Sequence, residues 1–101
     1  MNSTSFNIDY RINKSGAVSI KRHLLRCDGL FNPRLSSYVN MKEYSEKLFK
    51  KATNFEAWHN NVLIGLVSLY CNDLNSKVAY ISNVSVEADY QKHGIASFLL
   101  S

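Results

Sequence analysis

The first patterned stretch, residues 6–12, reads Phe-Asn-Ile-Asp-Tyr-Arg-Ile. It alternates apolar and polar side chains, the period of a strand with one buried face. From Ser15 the period changes: Ala17, Ile20, Leu24 and Cys27 recur three and four apart. That spacing predicts a helix that lays one stripe on a core and stops at Asp28-Gly29. Lys21, Arg22 and Arg26 fall mainly on its other side. Residues 30–39 carry the breakers Asn32-Pro33 and Ser36-Ser37 and read as a connection, with a helical turn starting at Pro33. Asn40 and Glu43 then form an Asn version of the capping box, with Val39 and Tyr44 placed as a hydrophobic staple. Glu43 with Lys47, and Glu46 with Lys50, are pairs in the favourable order. A second helix is predicted over Met41–Lys51, packing Tyr44, Leu48 and Phe49 on the core.

After that helix the period returns to two. Residues 54–59 place Phe55 and Ala57 on one face and Trp58 on the other. Asn60-Asn61 is a two-residue link that tolerates positive φ, so residues 62–70 should return as the second strand of a hairpin. Gly65 inside that strand suggests a bulge or a close backbone approach. A turn over residues 72–77 leads to a third strand, Val78–Val86. There the apolar phase changes: Ala79 and Ile81 share one parity, Val84 and Val86 the other, with Ser82-Asn83 between them. Such a strand either is covered on both faces or bulges at the polar pair, and a bulge leaves main-chain groups unpaired for a ligand. Strand, helices, three consecutive antiparallel strands and a further helical start make an α+β pattern.

Composition narrows the class. The chain has 101 residues, 46% hydrophobic and 20% charged, with four Gly and one Pro. That suits one globular domain, 1–101, and excludes low-complexity disorder. The uncharged stretch over residues 60–72 is too short to span a bilayer, and the polar start lacks the basic and apolar regions of a secretory signal. Cys27 and Cys71 allow at most one bridge and read as reduced thiols of a cytoplasmic protein. The net charge of +4 is uneven: residues 1–51 hold ten Lys/Arg against four Asp/Glu, and residues 52–101 hold two against four. A basic first half favours a phosphate-bearing ligand by long-range attraction. Lys21, Arg22, Arg26, Lys47, Lys50 and Lys51 come without an aromatic platform or reading motif, so neither nucleic acid nor a membrane is an expected partner. His23, His59 and His93 are scattered and no C-x-x-C pair occurs, so no metal is expected.

Chemistry concentrates after the last strand, in Glu87-Ala-Asp-Tyr-Gln-Lys-His-Gly-Ile-Ala-Ser-Phe-Leu-Leu-Ser. Ile95, Phe98 and Leu99 are at helical spacing, so a helix begins near Gly94. Gly94 and Ala96 let a ligand approach the backbone, and the N–H groups of a first helical turn carry partial positive charge. A strand, a short loop of small residues and a helix start form a phosphate site, with Lys92 and His93 at its rim. The spacing fits neither a Walker loop nor a dinucleotide fingerprint.

Gln91-Lys92-His93-Gly94-Ile95-Ala96 resembles the Q/R-x-x-G-x-G/A signature of the GNAT acetyltransferase superfamily. It follows Val84-Ser85-Val86 at that family's spacing, and Gly65 stands where the family commonly has a Gly. The element order, β1-α1-α2-β2-β3-β4-α3 counted along the chain, is similar too. The resemblance implies a GNAT-like, mostly antiparallel fold and an acetyl-CoA-dependent N-acetyltransferase. Its co-substrate would pair along Val84 and Val86, with Ser85 between them. The pyrophosphate would lie over Gln91, Lys92, His93, Gly94, Ile95, Ala96 and Ser97. A main-chain N–H among Val84, Ser85 and Val86 would polarise the thioester carbonyl, and the primary amine of a small-molecule acceptor would attack directly. That acceptor is expected near the connection over residues 27–39 and near the 54–70 hairpin. Some relatives carry a Glu base where this chain has Tyr80; the remaining candidates are Asn83, beside Ser82, and Glu56 acting through water. The family's following strands and last helix have no counterpart by Ser101, so the domain reads as C-terminally truncated. An open edge on the last strand would then favour a homo-oligomer. The alternative is a non-catalytic CoA-binding or self-associating remnant of the same fold.

Overall fold

The computed structural model describes residues 7–73 and 78–101. Phe6, residues 74–77 and the side chain of Cys71, each part of an expectation above, lie outside what it describes. The elements follow the predicted order: β1 (Asp9–Ile12), α1 (Ala17–Cys27), α2 (Met41–Lys51), β2 (Thr53–His59), β3 (Val62–Asp73), β4 (Val78–Val86) and α3 (Ile95–Leu100). The strands form one antiparallel sheet in the order β1-β2-β3-β4.

Local chemistry explains most of these boundaries. Asn60 and Asn61 both have positive φ, 50° and 63°, the pair of left-handed residues a tight hairpin turn requires. Asn40 caps α2 by accepting from the Glu43 amide at 3.0 Å, while Val39 and Tyr44 pack against the core beside it. The first helix departs from expectation at its start. Gly16 is its N-cap, because the Ser15 hydroxyl and amide are both taken by Glu56. The turn expected at Pro33 forms instead as a 3-10 turn over Leu35–Ser37, which buries Leu35. Phe49 also departs: it is 51% exposed, because Met41, Ser45 and Leu48 define the buried stripe and turn it past the edge.

Two cores sandwich the sheet. Ile20, Leu24, Leu48, Trp58, Leu63 and Leu66 join α1 and α2 to one face. Ala57, Ile64, Val67, Val86, Ile95 and Leu99 join α3 to the other. Phe55 and Ala57 face away from Trp58, as the alternation in β2 predicts. Gly65 is both near a bulge and closely approached. Ala57 pairs with Gly65 and Trp58 with Leu63, so Ile64 is the extra residue. A Cβ on Gly65 would stand 3.1 Å from Ile95 Cγ2 and 3.2 Å from Ala57 Cβ, so only a glycine lets α3 sit this low. On the α3 side the sheet also carries an open depression of about 870 Å³ bordered by Tyr10, Ile12, Phe55, Leu69, Ile81 and Leu100.

Candidate functional site

The phase change in β4 is a bulge at Ser82. Ser68 pairs with Asn83 and Leu69 with Ile81, so Ser82 has no partner across the ladder. The extra residue brings Ile81 into register with Val84 and Val86, opposite Leu69, Val67 and Gly65 on the α3 face. It turns Asn83 and Ser85 toward the helices, opposite Ser68 and Leu66. The Tyr44 hydroxyl holds the bulge from α2, 3.1 Å from both Ser82 O and Ser82 Oγ. Burial pushes the Tyr44 phenol up, so it stays neutral.

Main-chain direction along β4 follows from one bond. The Glu87 amide donates to Ile64 O at 2.9 Å, toward β3. Main-chain groups alternate sides along a strand, so those of Ser85 also face β3 and those of Val84 and Val86 face outward. β4 ends the sheet order, and that outward edge has no strand beside it among the described residues. Gln91 Nε2 donates to Val86 O at 3.0 Å, tying the loop to the strand.

The loop is built by tight turns. A 3-10 turn, Ala88–Tyr90, places the Tyr90 amide 2.9 Å from Glu87 O and the Gln91 amide 3.3 Å from Ala88 O. Lys92 and Gly94 then take positive φ, 67° and 73°, and space is open where a Gly94 Cβ would stand. The first bond of α3 runs from the Phe98 amide to Gly94 O at 2.9 Å. The amides of Ile95, Ala96 and Ser97 precede it and so have no intrahelical partner. Between the β4 edge and this loop lies a groove of about 340 Å³, lined by Val84, Ser85, Val86, Tyr90, Gln91, Lys92 and Gly94 with Ile95, Ala96 and Ser97.

The groove gathers nine of the ten residues the sequence singled out for the co-substrate. His93 is in the loop but not in the lining, while Tyr90, its ring 5.5 Å from that of His59, is there unanticipated. Gln91 differs in part: its amide is bonded to Ala88 O and its side chain braces the edge strand. The Ile95 side chain belongs to the core, leaving its main chain to the groove.

The two candidate bases are placed elsewhere. Glu56 is fully buried beneath the link from β1 to α1. Its carboxylate accepts from the Lys14 amide at 3.1 Å, the Ser15 amide at 3.0 Å, the Ser15 hydroxyl and Trp58 Nε1 at 3.0 Å. A carboxylate so occupied and enclosed anchors the chain and is not presented to a substrate. Asn83, buried on the helix face, donates to Ser85 Oγ at 3.0 Å. A second groove, about 150 Å³, opens on that face between Leu30, Phe31 and the residues Val84, Ser85, Val86 and Gln91. The connection after α1 therefore borders β4. The tip of the β2–β3 hairpin lies instead by the loop after β4, the His59 ring tilted against that of Tyr90.

A polar cluster that sequence reasoning missed lies directly behind Ser85. Ser85 Oγ is 2.7 Å from Nε2 of His23, whose Nδ1 is 3.2 Å from Leu63 O. Arg26 Nε donates to Glu87 Oε2 at 2.8 Å, and its Nη2 to Leu63 O at 3.0 Å. Burial pushes the Glu87 carboxyl up, but the His23 ring 3.7 Å away and the hydrogen bond and charge of Arg26 outweigh it and hold the group below its ordinary value. Burial raises the Cys27 thiol to about 12, helped by the Glu87 charge, so it is no nucleophile. The signal available in the sequence was position alone: His23 sits three after Ile20 and four before Cys27, on the inner stripe of α1.

Residues 19–101 match the family model described as the Acetyltransferase (GNAT) family. No curated protein compared with the chain matches it. Among solved structures it is similar to a possible acetyltransferase from Clostridium difficile 630, with a TM-score of 0.68 and 14% identity over 92% of this chain and 66% of that one. It is similar to a predicted acetyltransferase with acetyl-CoA from Clostridium acetobutylicum, with a TM-score of 0.61 and 18% identity over 92% and 68%. A third is an aminoglycoside acetyltransferase from an uncultured soil metagenomic sample in complex with sisomicin, with a TM-score of 0.62 and 19% identity over 92% and 64%. At such identities these likenesses establish the fold, and the chain spans about two thirds of the length of each structure.

Proposed function

The chain belongs to the GNAT acetyltransferase family, and from that premise we propose that it takes part in transfer of an acetyl group from acetyl-CoA to the primary amine of a small molecule. The observation that carries this reading is the groove between the outward edge of β4 and the Gly94 loop. Its donors suit an extended amide-bearing arm followed by a pyrophosphate. Val84 and Val86 turn main-chain groups outward, and Ile95, Ala96 and Ser97 present amides above a left-handed Gly94 with open space beside it. When bound, acetyl-CoA supplies an acyl group activated as a thioester. The Val84 and Val86 main chain orients that arm as an added strand, and an outward N–H there polarises the acyl carbonyl. Lys92 adds positive charge at the phosphate end.

The acceptor lies on the opposite side of the edge strand, in the groove bordered by Leu30 and Phe31. Its neutral amine attacks the acyl carbon, the N–C bond forms as the C–S bond breaks, the nitrogen gives up one proton and the departing thiolate takes one by way of solvent, and most of the acceleration comes from holding the two together. An amino sugar fits this reading, in line with the aminoglycoside substrates named for similar structures. Calorimetry with CoA, followed by a thiol-release assay across primary amines, tests it. Saturable binding with amine-dependent release is expected; absence of binding contradicts it, and binding without release for any amine supports a CoA-binding module without turnover.

A second reading, self-association through β4, is favoured by the same outward main-chain groups of Val84 and Val86, which a second copy would pair with as readily as a ligand.

A further inference from the structure

Acetyl transfer from acetyl-CoA needs the acceptor amine stripped of its proton, and neither candidate base from the sequence lines either of the two grooves beside β4. The His23 cluster does so through Ser85. His23 is fully buried on the inner stripe of α1. Its Nδ1 lies 3.2 Å from Leu63 O, and a carbonyl only accepts, so that nitrogen carries the ring proton. Its Nε2 is then the acceptor of the Ser85 hydroxyl at 2.7 Å. Ser85 Oγ also accepts from Asn83 Nδ2 at 3.0 Å. A hydroxyl donates once and accepts twice, and the second accepting position of Ser85 is shared only with the neighbouring Cys27 thiol, a weak donor that an ammonium group would displace, on a residue that borders the acceptor groove with Leu30 and Phe31. The charged and titratable groups that these contacts place around the ring are few. Glu87 Oε2 is 3.7 Å from Nδ1, Arg26 is paired with that carboxylate at 2.8 Å, and the Cys27 sulfur is 3.8 Å from Nε2.

We propose that Ser85 and His23 form a proton relay for the acceptor amine, Ser85 touching the substrate and His23 acting through it; this rests on the acyl-transfer reading above. An ammonium group donates to that second accepting position of Ser85. Its proton passes to Oγ as the Ser85 hydroxyl proton moves to His23 Nε2. The amine is left neutral with its lone pair free, the ring becomes an imidazolium, and the Glu87 carboxylate faces the new charge. One N–H bond breaks, one forms, and no co-reactant is consumed. The relay resets by the same path to water once the groove empties.

The test compares the unsubstituted chain with H23Q and S85A, using glucosamine and acetyl-CoA as probes. A Gln side chain can still bridge α1 to β3 and β4 but cannot hold the proton. H23Q and S85A should each lower kcat near neutrality on the order of 100-fold. The calorimetric Kd of H23Q for CoA should match that of the unsubstituted chain, since His23 does not line the co-substrate groove. In H23Q the acidic limb of the pH–rate profile should move to higher pH, where it follows the amine alone, and the rate should approach that of the unsubstituted chain once solvent supplies free amine. A 15N NMR spectrum of the His23 ring reports independently of turnover: the ring proton is expected on Nδ1, with Nε2 as the acceptor. A proton on Nε2, or an H23Q profile that keeps the rate and the limb of the unsubstituted chain, overturns the relay. An unsubstituted chain that neither binds CoA nor releases thiol overturns the acyl-transfer reading itself, and the relay with it.

Discussion

At the scale of single residues, Glu56 shows how a charge becomes an anchor. Four donors converge on its carboxylate, from the Lys14 amide, both polar groups of Ser15 and the Trp58 indole. Truncation to alanine leaves buried donors unpaired, so E56A should lose about 3 kcal/mol or more; the urea midpoint measures it, and a change below about 0.5 kcal/mol would show the contacts to be idle. In the sequence Glu56 gave no sign of this, because three of its four donors lie 41 and 42 residues earlier. Ser15 was misleading for the same reason: the helical period runs from it, but its hydroxyl serves Glu56 and α1 starts at Ala17. Cys27 makes a pH prediction. Its thiol is raised from 9.0 to about 12, so the stability it contributes is complete below the unfolded value and is lost as pH rises through the folded one. Peptide mapping after iodoacetamide treatment should find native Cys27 unmodified, and the urea midpoint should fall less steeply above pH 9.0 in C27A than in the unsubstituted chain.

Elements were legible where their cause is local. Asn60-Asn61 announces its turn, Asn40 and Glu43 the start of α2, and the polar pair Ser82-Asn83 the interruption of β4. What the sequence left as two options for β4, cover on both faces or a bulge, is decided by pairing with Leu69 and Ser68, which only the folded sheet supplies. The same holds for Phe49, where the spacing allowed a core position that the stripe of α2 does not reach. Gly65 ties the elements to the site. Its missing side chain lets Ile95 and Leu99 close on β3, which sets the height of α3 and of the loop before it. G65A forces a Cβ to 3.1 Å from Ile95 and 3.2 Å from Ala57. It should cost about 1–3 kcal/mol, and CoA binding should weaken with it. A thermal midpoint unchanged by G65A would contradict the packing.

For the molecule as a whole, charge and shape act together. The basic first half and the groove at the end of β4 favour an anionic ligand, so CoA affinity should decline as salt rises. The outward edge of β4 can be covered once. If a second copy and CoA both use it, saturating CoA should shift sedimentation toward the monomer, whereas association indifferent to CoA would place the contact elsewhere. The sequence located this groove well because a short loop and a neighbouring strand build it. It could not show the contact between Ser85 and His23, which are 62 residues apart. The most direct measurement is a CoA titration of the 15N-labelled chain. The account predicts saturable shifts of the Val84, Val86, Ile95, Ala96 and Ser97 amides, with β1 and the start of β2 unmoved. It is contradicted if those amides stay still while CoA is added, or if the shifts gather around Tyr10 and Ile12 instead.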